Sequence, residues 1–256
     1  MNVLSGKTAI VTGASSGIGW ATARMFAEEG ARVVVSGRRA EALDRLVAEI
    51  ERFGGKAAAV CGDVKDESLA KELVEVAVGR FGGLDVAFNN AGIVGEMKPV
   101  SELTFADWNA TLATNLTGAF FGAKYQVPAM LARGGGSMIF TSSFIGHTAA
   151  LPGMAAYAAS KAGLVGFMQA LAVELGGKGV RVNAILPGGT DTPANPVNAP
   201  GATPEVKSFV TGLHALKRLA SPEEIARSVL HLASDAASFI TGSALIVDGG
   251  ASINRS

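Results

Sequence analysis

The sequence is poor in cysteine, in charge and in long apolar runs. Its single cysteine, Cys61, leaves no partner for an internal disulfide bond, which fits a reducing compartment. Lysine plus arginine number 22, equal to aspartate plus glutamate, and no basic run appears; binding to a phosphate backbone is therefore not expected. No stretch approaches about 18 consecutive apolar residues, and the amino terminus has no signal-peptide pattern. We therefore expect a cytoplasmic protein that binds neither nucleic acid nor membrane.

Apolar residues make up 48% of the chain, enough for a large core, and they follow two alternating patterns. Seven short apolar runs are strand candidates, at residues 7–11, 32–35, 57–60, 84–88, 137–141, 180–186 and 244–247. Six stretches of helical periodicity lie between them, at residues 17–29, 41–53, 68–81, 105–131, 154–175 and 222–233. Continuously apolar strands that alternate with helices are typical of a parallel sheet covered on both faces. The prediction is an α/β protein with one domain, 1–256, built on a Rossmann-like, doubly wound parallel sheet of about seven strands.

One segment departs from this alternation. Five of the nine prolines are concentrated there: Pro187, Pro193, Pro196, Pro200 and Pro204. Proline removes an amide donor and fixes φ, so neither a regular strand nor a long helix is expected between Pro187 and Pro204. The segment leaves the carboxyl end of a predicted strand, where ligands bind in open parallel sheets. We expect a substrate loop at about residues 188–220, with Gly188 and Gly189 as its hinge.

The turn after the first strand is rich in glycine. Gly13 permits a tight turn, Gly17 lets backbone amides approach a pyrophosphate, and Gly19 lets the helix pack closely on the sheet. A helix amino terminus also supplies free N–H groups for an anion. This position between a strand and a helix favours nucleotide binding over a glycine turn that binds nothing.

Tyr157 is one of two tyrosines and has a lysine, Lys161, four residues later. That spacing is about one helical turn, so the two side chains share a helix face. A free phenol has a pKa of about 10, and a nearby ammonium lowers it by stabilising the phenolate. The pair thus fits an acid/base that exchanges a proton with an alcohol oxygen. Taken alone, it also fits a solvated helix face.

These motifs belong to an ordered set that resembles the short-chain dehydrogenase/reductase family from Lys7 to Ile253. In chain order the set is Thr12-Gly13-x-x-x-Gly17-x-Gly19, Asp63-Val64, Asn89-Asn90-Ala91-Gly92, Asn115, Ser143-x-x-Gly146, Tyr157-x-x-x-Lys161 and Pro187-Gly188. The resemblance implies an oxidoreductase that interconverts a carbonyl and a secondary alcohol. Its implied catalytic set is Asn115, Ser143, Tyr157 and Lys161.

The resemblance also implies where a nicotinamide dinucleotide binds. The implied contacts are Gly13, Ser15, Ser16, Gly17, Ile18, Gly19, Arg38, Asp63, Val64, Asn90, Ala91, Gly92, Tyr157, Lys161, Pro187, Gly188, Thr190 and Thr192. In such proteins an acidic residue 18 positions after the last motif glycine favours NAD. Here that position is Gly37, followed by Arg38. A guanidinium can pair with a 2′-phosphate, so NADP(H) is the preferred cofactor and NAD(H) stays possible.

Two other functions stay open at this stage. A 3-oxoacyl-carrier-protein reductase shares all these motifs, and a non-catalytic dinucleotide-binding sensor could share the fold. The small and apolar residues at 147–154 and 190–219 favour a modest hydrophobic substrate, such as a cyclic or aliphatic ketone or alcohol. No metal is predicted, because the histidines and Cys61 lack metal-ligand spacing. The resemblance implies a homotetramer, with a dimer as the alternative.

Overall fold

A parallel sheet of seven strands forms the centre of the computed structural model, which describes residues 2–254. Residues 1, 255 and 256 of the expected domain lie outside the described residues. The strands are β1 (Thr8–Thr12), β2 (Arg32–Gly37), β3 (Lys56–Cys61), β4 (Val86–Asn89), β5 (Gly136–Thr141), β6 (Val180–Pro187) and β7 (Ala244–Val247). Their order is β3-β2-β1-β4-β5-β6-β7. The chain thus winds outward from β1 in both directions, which confirms the predicted fold class.

Helices cover both faces of the sheet. They are α1 (Gly17–Glu28), α2 (Ala40–Arg52), α3 (Glu67–Phe81), α4 (Phe105–Leu112), α5 (Gly118–Ala132), α6 (Ala155–Gly176), α7 (Pro204–Gly212) and α8 (Pro222–Ala233). α1, α2 and α8 pack on one face, and α3, α5 and α6 pack on the other. Within residues 2–254, no helix is both long enough and apolar enough to span a membrane.

The alternation of side chains along β1 explains why its sequence is continuously apolar. Val11 packs in the core beneath α1, α2 and α8, together with Phe26 and Leu46. Its neighbour Ile10 points to the other face and packs with Met168 in the core beneath α3, α5 and α6. Both faces of the strand are therefore buried, and each such side chain stabilises the fold by roughly 1.5–3 kcal/mol.

The helical stretch predicted at residues 105–131 is interrupted in the structure. α4 ends at Leu112, a π-helical turn occupies Ala113–Thr117, and α5 begins at Gly118. Asn115 lies in the middle of this turn and is buried. A π turn inserts one residue into the helical ladder and re-aims the side chains there, and such turns are frequent at functional sites.

The proline-rich segment contains no regular strand or long helix, as expected. It does contain a short helix that the sequence pattern did not predict, α7, which begins at Pro204. Proline suits a first helical turn because its missing N–H has no partner there. Thr203 caps the helix by accepting from the amide of Val206. No residue of α7 is buried, so the helix lies on the surface of the protein.

Gly188 and Gly189, where a hinge is expected, are closely packed in this structure. The Gly188 amide donates to Val247 O at 3.0 Å. A Cβ atom at Gly188 would lie 2.7 Å from Asp248 Cα, and one at Gly189 would lie 2.8 Å from His214 Cε1. Close packing therefore requires glycine at both positions.

Candidate active site

The candidate site lies where the carboxyl ends of β1, β4, β5 and β6 meet. The chain leaves β1 toward β2 on one side, and β4 lies on the other side of β1. This reversal opens a crevice at the edge of the sheet, the usual ligand position in doubly wound proteins.

The glycine turn at this edge fits the phosphates of a dinucleotide. Gly13 and Gly17 have φ values of 67° and 57°, which favour glycine. A Cβ atom at Gly19 would lie 2.3 Å from Gly13 O, so α1 can approach the turn only with glycine there. Ser16 is the N-cap of α1 but makes no side-chain cap, and no acidic residue occupies the first turn. The helix amino terminus is thus open to an anion, while Ile18 packs toward the core.

Asn90 fixes the glycine turn to the strands beside it. Its side-chain amide donates to Thr12 O at 3.1 Å, and its Oδ1 accepts from Thr141 Oγ1 at 3.0 Å. The Asn90 and Ala91 amides both donate to Thr12 Oγ1. The Asn90 side chain is thus used within the protein, and it sets the position of Gly13.

Lys161 brings a buried ammonium to the same edge. It lies on α6, is 4% exposed, and donates from Nζ to Thr141 O at 2.7 Å. Its Nζ lies 5.7 Å from the centre of the Tyr157 ring. Burial lowers the pKa of Lys161 to about 8, because the charged form loses its hydration. At pH 7 the ammonium is still the major form.

Tyr157 and Ser143 face each other beside this ammonium. Burial of the Tyr157 hydroxyl raises its pKa, and a hydrogen bond with the Ser143 hydroxyl opposes that rise. Ser143 Oγ also accepts from the Ile145 amide at 3.1 Å. The neighbouring Ser142 hydroxyl is directed elsewhere and donates to Lys161 O at 2.8 Å. The structure therefore brings Ser143, and not Ser142, to the tyrosine.

Asn115 lies close to Lys161. From the π turn, its Oδ1 accepts from the Ile93 amide at 2.8 Å, and its Nδ2 donates to Ile93 O and to Ser160 Oγ. A Cβ atom at Gly92 would lie 3.2 Å from both Asn115 Oδ1 and Lys161 Nζ. Gly92 thus lets the amide and the ammonium come close together.

The loop after β6 closes the crevice from the other side. Pro187 ends β6, and Thr190 is buried with its hydroxyl donating to Gly188 O at 3.2 Å. Thr192 lies against the glycine turn, with its Cγ2 2.9 Å from the position of a Cβ atom at Gly17. The loop predicted to bind the nicotinamide end therefore contacts the glycine turn predicted to bind the pyrophosphate.

The two arginines after β2 make different contacts. Arg38 and Arg39 are both exposed, and the guanidinium of Arg39 donates to Ser15 O at 3.0 Å and to Ser15 Oγ at 3.2 Å. Arg39 therefore lies over the glycine turn, although only Arg38 was predicted to contribute. The two adjacent arginines indicated a basic site at this position, but the sequence does not show which arginine folds back.

Asp63 and Val64 lie after β3, on the same edge. The Asp63 carboxylate accepts from the Lys65 amide at 3.1 Å and pairs with the Lys65 ammonium at 3.4 Å. Val64 packs against α5, where a Cβ atom at Gly118 would lie 2.9 Å from Val64 O. Among residues 2–254, no group of three or more His, Cys, Asp and Glu side chains is placed to hold a metal ion.

Curated relatives resemble the chain over nearly its whole length. It is 41% identical to cyclohexanol dehydrogenase of Acinetobacter sp. (strain SE19), across 97% of this chain and 96% of that protein. It is 40% identical to the 3-oxoacyl-[acyl-carrier-protein] reductase FabG of Thermotoga maritima, across 96% and 98%. It is also 40% identical to cis-4-hydroxycyclohexanecarboxylate dehydrogenase of Sinomonas cyclohexanicum, across 95% and 96%.

Solved structures agree with this resemblance. A short-chain type dehydrogenase/reductase from Mycobacterium marinum superposes with a TM-score of 0.91 and 36% identity, covering 98% of this chain and 97% of that one. A putative NAD(P)-dependent gluconate 5-dehydrogenase from Beutenbergia cavernae, with bound NADP at low occupancy, has a TM-score of 0.89 and 38% identity, covering 96% and 97%. The family model described as Enoyl-(Acyl carrier protein) reductase matches residues 13–252. The chain therefore belongs to the short-chain dehydrogenase/reductase family.

Proposed function

We propose that this chain is an NAD(P)(H)-dependent oxidoreductase that interconverts a carbonyl and a secondary alcohol, with Tyr157 as the acid/base. The observation that carries the proposal is the meeting of Tyr157, Ser143 and Lys161 at the sheet edge that also carries the open amino terminus of α1. A bound nicotinamide dinucleotide supplies or accepts the hydride. The protein supplies position, the proton and the electrostatic environment.

Each catalytic side chain has one task. In reduction, the Tyr157 hydroxyl gives its proton to the substrate oxygen, and in oxidation the phenolate takes it back. The Ser143 hydroxyl donates a hydrogen bond to the same oxygen as negative charge develops there. The Lys161 ammonium stabilises the phenolate form of Tyr157. Asn115 positions the catalytic side chains through its hydrogen bonds to Ile93 O and to Ser160 Oγ.

The residues of the crevice fit the parts of a dinucleotide. The glycine turn, with Ser15 and Ser16, would hold the pyrophosphate; Asp63 and Val64 would flank the adenine, and residues 90–92 the ribose region. The loop from Pro187 through Gly188, Thr190 and Thr192 would hold the nicotinamide end. NADP(H) is the preferred form, because Arg38 and Arg39 leave two cations beside Gly37, where no carboxylate opposes a 2′-phosphate.

An apolar wall beside Tyr157 points to an alicyclic or aliphatic substrate. Phe144, Ile145 and Met154 form a buried cluster against which Leu151 and the Tyr157 ring pack. Two relatives are named for alcohols of six-membered rings, and a ring of that kind suits this surface. The second candidate is 3-oxoacyl-carrier-protein reduction, which the relative from Thermotoga maritima favours. Turnover of cyclohexanol compared with a 3-oxoacyl thioester distinguishes the two.

The proposed assembly is a homotetramer in the cytoplasm. Phe120 on α5 and Val173 on α6 are 46% and 87% exposed, and Phe239 and Ile253 near the carboxyl end are 102% and 77% exposed. Exposed apolar side chains in two different parts of the chain fit contacts across two symmetry axes.

Replacing Tyr157 with phenylalanine tests the acid/base role. We expect Y157F to lose at least about a thousandfold in kcat, because the change removes the hydroxyl that is proposed to exchange the proton. Its dissociation constant for NADPH should change by less than about threefold, since the phenol contributes little to holding phosphates or adenine. Stopped-flow fluorescence and steady-state assays measure both. A variant that keeps a tenth of wild-type kcat contradicts the assignment.

The pH dependence of stability tests the burial of Lys161. Its pKa falls from 10.5 in the unfolded chain to about 8 in the folded protein. The unfolded chain therefore binds more protons between these values, so the wild type becomes more stable as the pH rises through that window. Below pH 8 the free-energy cost of burying the Lys161 ammonium is fully present.

The variant K161M lacks this penalty. We expect the free energy of unfolding of wild type, relative to K161M, to rise by up to about 3 kcal/mol between pH 8 and 10.5. Urea unfolding at several pH values measures it, and taking the difference cancels the titration of groups that do not interact with Lys161. A difference that does not change with pH contradicts the account of a desolvated ammonium.

The choice of cofactor is tested at the end of β2. One charge-assisted contact contributes about 1.5–3 kcal/mol, so wild type should bind NADPH roughly ten- to a hundredfold more tightly than NADH. R38L and R39L, made separately, show which guanidinium contributes. The double variant G37D/R38L should prefer NADH, because a carboxylate repels the 2′-phosphate. A Cβ atom at Gly37 would lie 3.1 Å from Ser15 Oγ, so Ser15 must shift slightly.

Dissociation constants for NADPH and NADH, measured at one ionic strength for each variant, test the cofactor preference, because salt weakens phosphate contacts. A wild type that binds NADH more tightly contradicts the NADP preference, while leaving the acid/base proposal intact.

A further inference from the structure

His214 is a buried histidine whose two ring nitrogens are both engaged. It is 2% exposed and lies in the turn after α7. Its Nε2 accepts from the Gly189 amide at 2.8 Å, and its Nδ1 lies 2.9 Å from Val210 O. A carbonyl oxygen can only accept, so Nδ1 carries the proton; Nε2 must be unprotonated to accept from an amide. The contacts therefore fix the orientation of the ring, with Nδ1 toward Val210 O and Nε2 toward the Gly189 amide.

Gly189 is built around this imidazole. A Cβ atom there would lie 2.8 Å from Cε1 and 3.1 Å from Nε2 of His214, so a larger residue would displace the ring. The Gly189 carbonyl accepts from the Ala220 amide at 3.0 Å. Both backbone groups of Gly189 are thus tied to the segment that follows α7.

The turn that carries His214 is itself braced by the carboxyl-terminal part of the chain. The Leu216 amide donates to Gly249 O at 3.1 Å, and the Asn254 side chain donates to Gly212 O at 3.0 Å and to Leu213 O at 3.2 Å. By contrast, α7 buries none of its residues. Within the substrate loop, the turn that carries His214 is therefore tied to the carboxyl-terminal part of the chain.

We propose that His214 is a positioning residue that holds the Gly189 amide and thereby fixes the loop of residues 188–192, against which the nicotinamide end binds. The inference rests on the proposed function. If Nε2 is lost, the Gly189 N–H is left without its acceptor and the loop shifts. A displacement of about 1 Å between reacting groups is enough to cost roughly a hundredfold in rate.

Two matched variants separate the Gly189 contact from the rest of the side chain. In H214Q, the side-chain oxygen reaches the position of Nε2 and can accept from Gly189. In H214N, the shorter side chain reaches only the position of Nδ1 and the Val210 carbonyl. His231, an exposed histidine on α8, supplies the control H231N. Loss in H214N with rescue in H214Q would assign the effect to the acceptor.

The first readout needs no cofactor. Hydrogen exchange of the free protein should show the Gly189 amide exchanging at least about tenfold faster in H214N than in wild type. The second readout is binding: affinity for 2′,5′-ADP, which reports the adenosine end, should change less than about twofold. The third is kinetic: kcat should fall about ten- to a hundredfold in H214N, with H214Q within about threefold of wild type.

Three results would overturn the inference. The first is a Gly189 amide that exchanges at the wild-type rate in H214N, and the second is a wild-type kcat in H214N. The third is a loss of 2′,5′-ADP affinity in H214N as large as its loss of kcat, which would indicate general unfolding. Failure of wild type to bind NADPH or NADH would instead contradict the proposed function. Exchange of Gly189 in the free protein still decides whether His214 holds the loop.

Discussion

The Asn90 side chain joins the two halves of the site, and the rest of the geometry depends on it. Its amide donates to Thr12 O below the glycine turn, and its Oδ1 accepts from the Thr141 hydroxyl at the end of β5. The Thr141 carbonyl in turn accepts from the buried Lys161 ammonium. Three links thus connect Gly13, where phosphates would bind, to the group that sets the charge around the acid/base. The neighbouring registers of β1, β4 and β5 place all of these atoms at one edge.

Burial of Lys161 shows how the fold accommodates an energetically unfavourable group. A nearly dehydrated ammonium opposes folding at neutral pH, and its pKa of about 8 expresses that cost. The two apolar cores on either face of the sheet supply the compensating stability. The same low-polarity surroundings strengthen the effect of the ammonium on a phenolate beside it, because water screens the interaction less. Stability and acid/base chemistry therefore respond in opposite directions to the same burial.

Much of this arrangement was predictable because it follows from local pattern. The apolar runs predicted the strands, and the glycine turn and Tyr157 predicted which edge carries the site. Contacts between distant segments were not predictable. Arg39 was missed because only the folded chain shows which of two adjacent arginines turns back. His214 has no neighbouring motif, and its partner Gly189 lies 25 residues earlier. The π turn around Asn115 was missed because an extra residue in a helical ladder leaves the apolar periodicity almost unchanged.

The central claim is that hydride passes between a nicotinamide dinucleotide and the carbon of a carbonyl group. The most direct measurement uses NADPH doubly deuterated at the nicotinamide C4, with cyclohexanone and a panel of other ketones, and analyses the alcohols by mass spectrometry and NMR. The account predicts one deuterium on the carbinol carbon of at least one product, and none when Y157F replaces the wild type. A carbinol carbon without deuterium, or no turnover of any ketone in the panel with either NADPH or NADH, would contradict it.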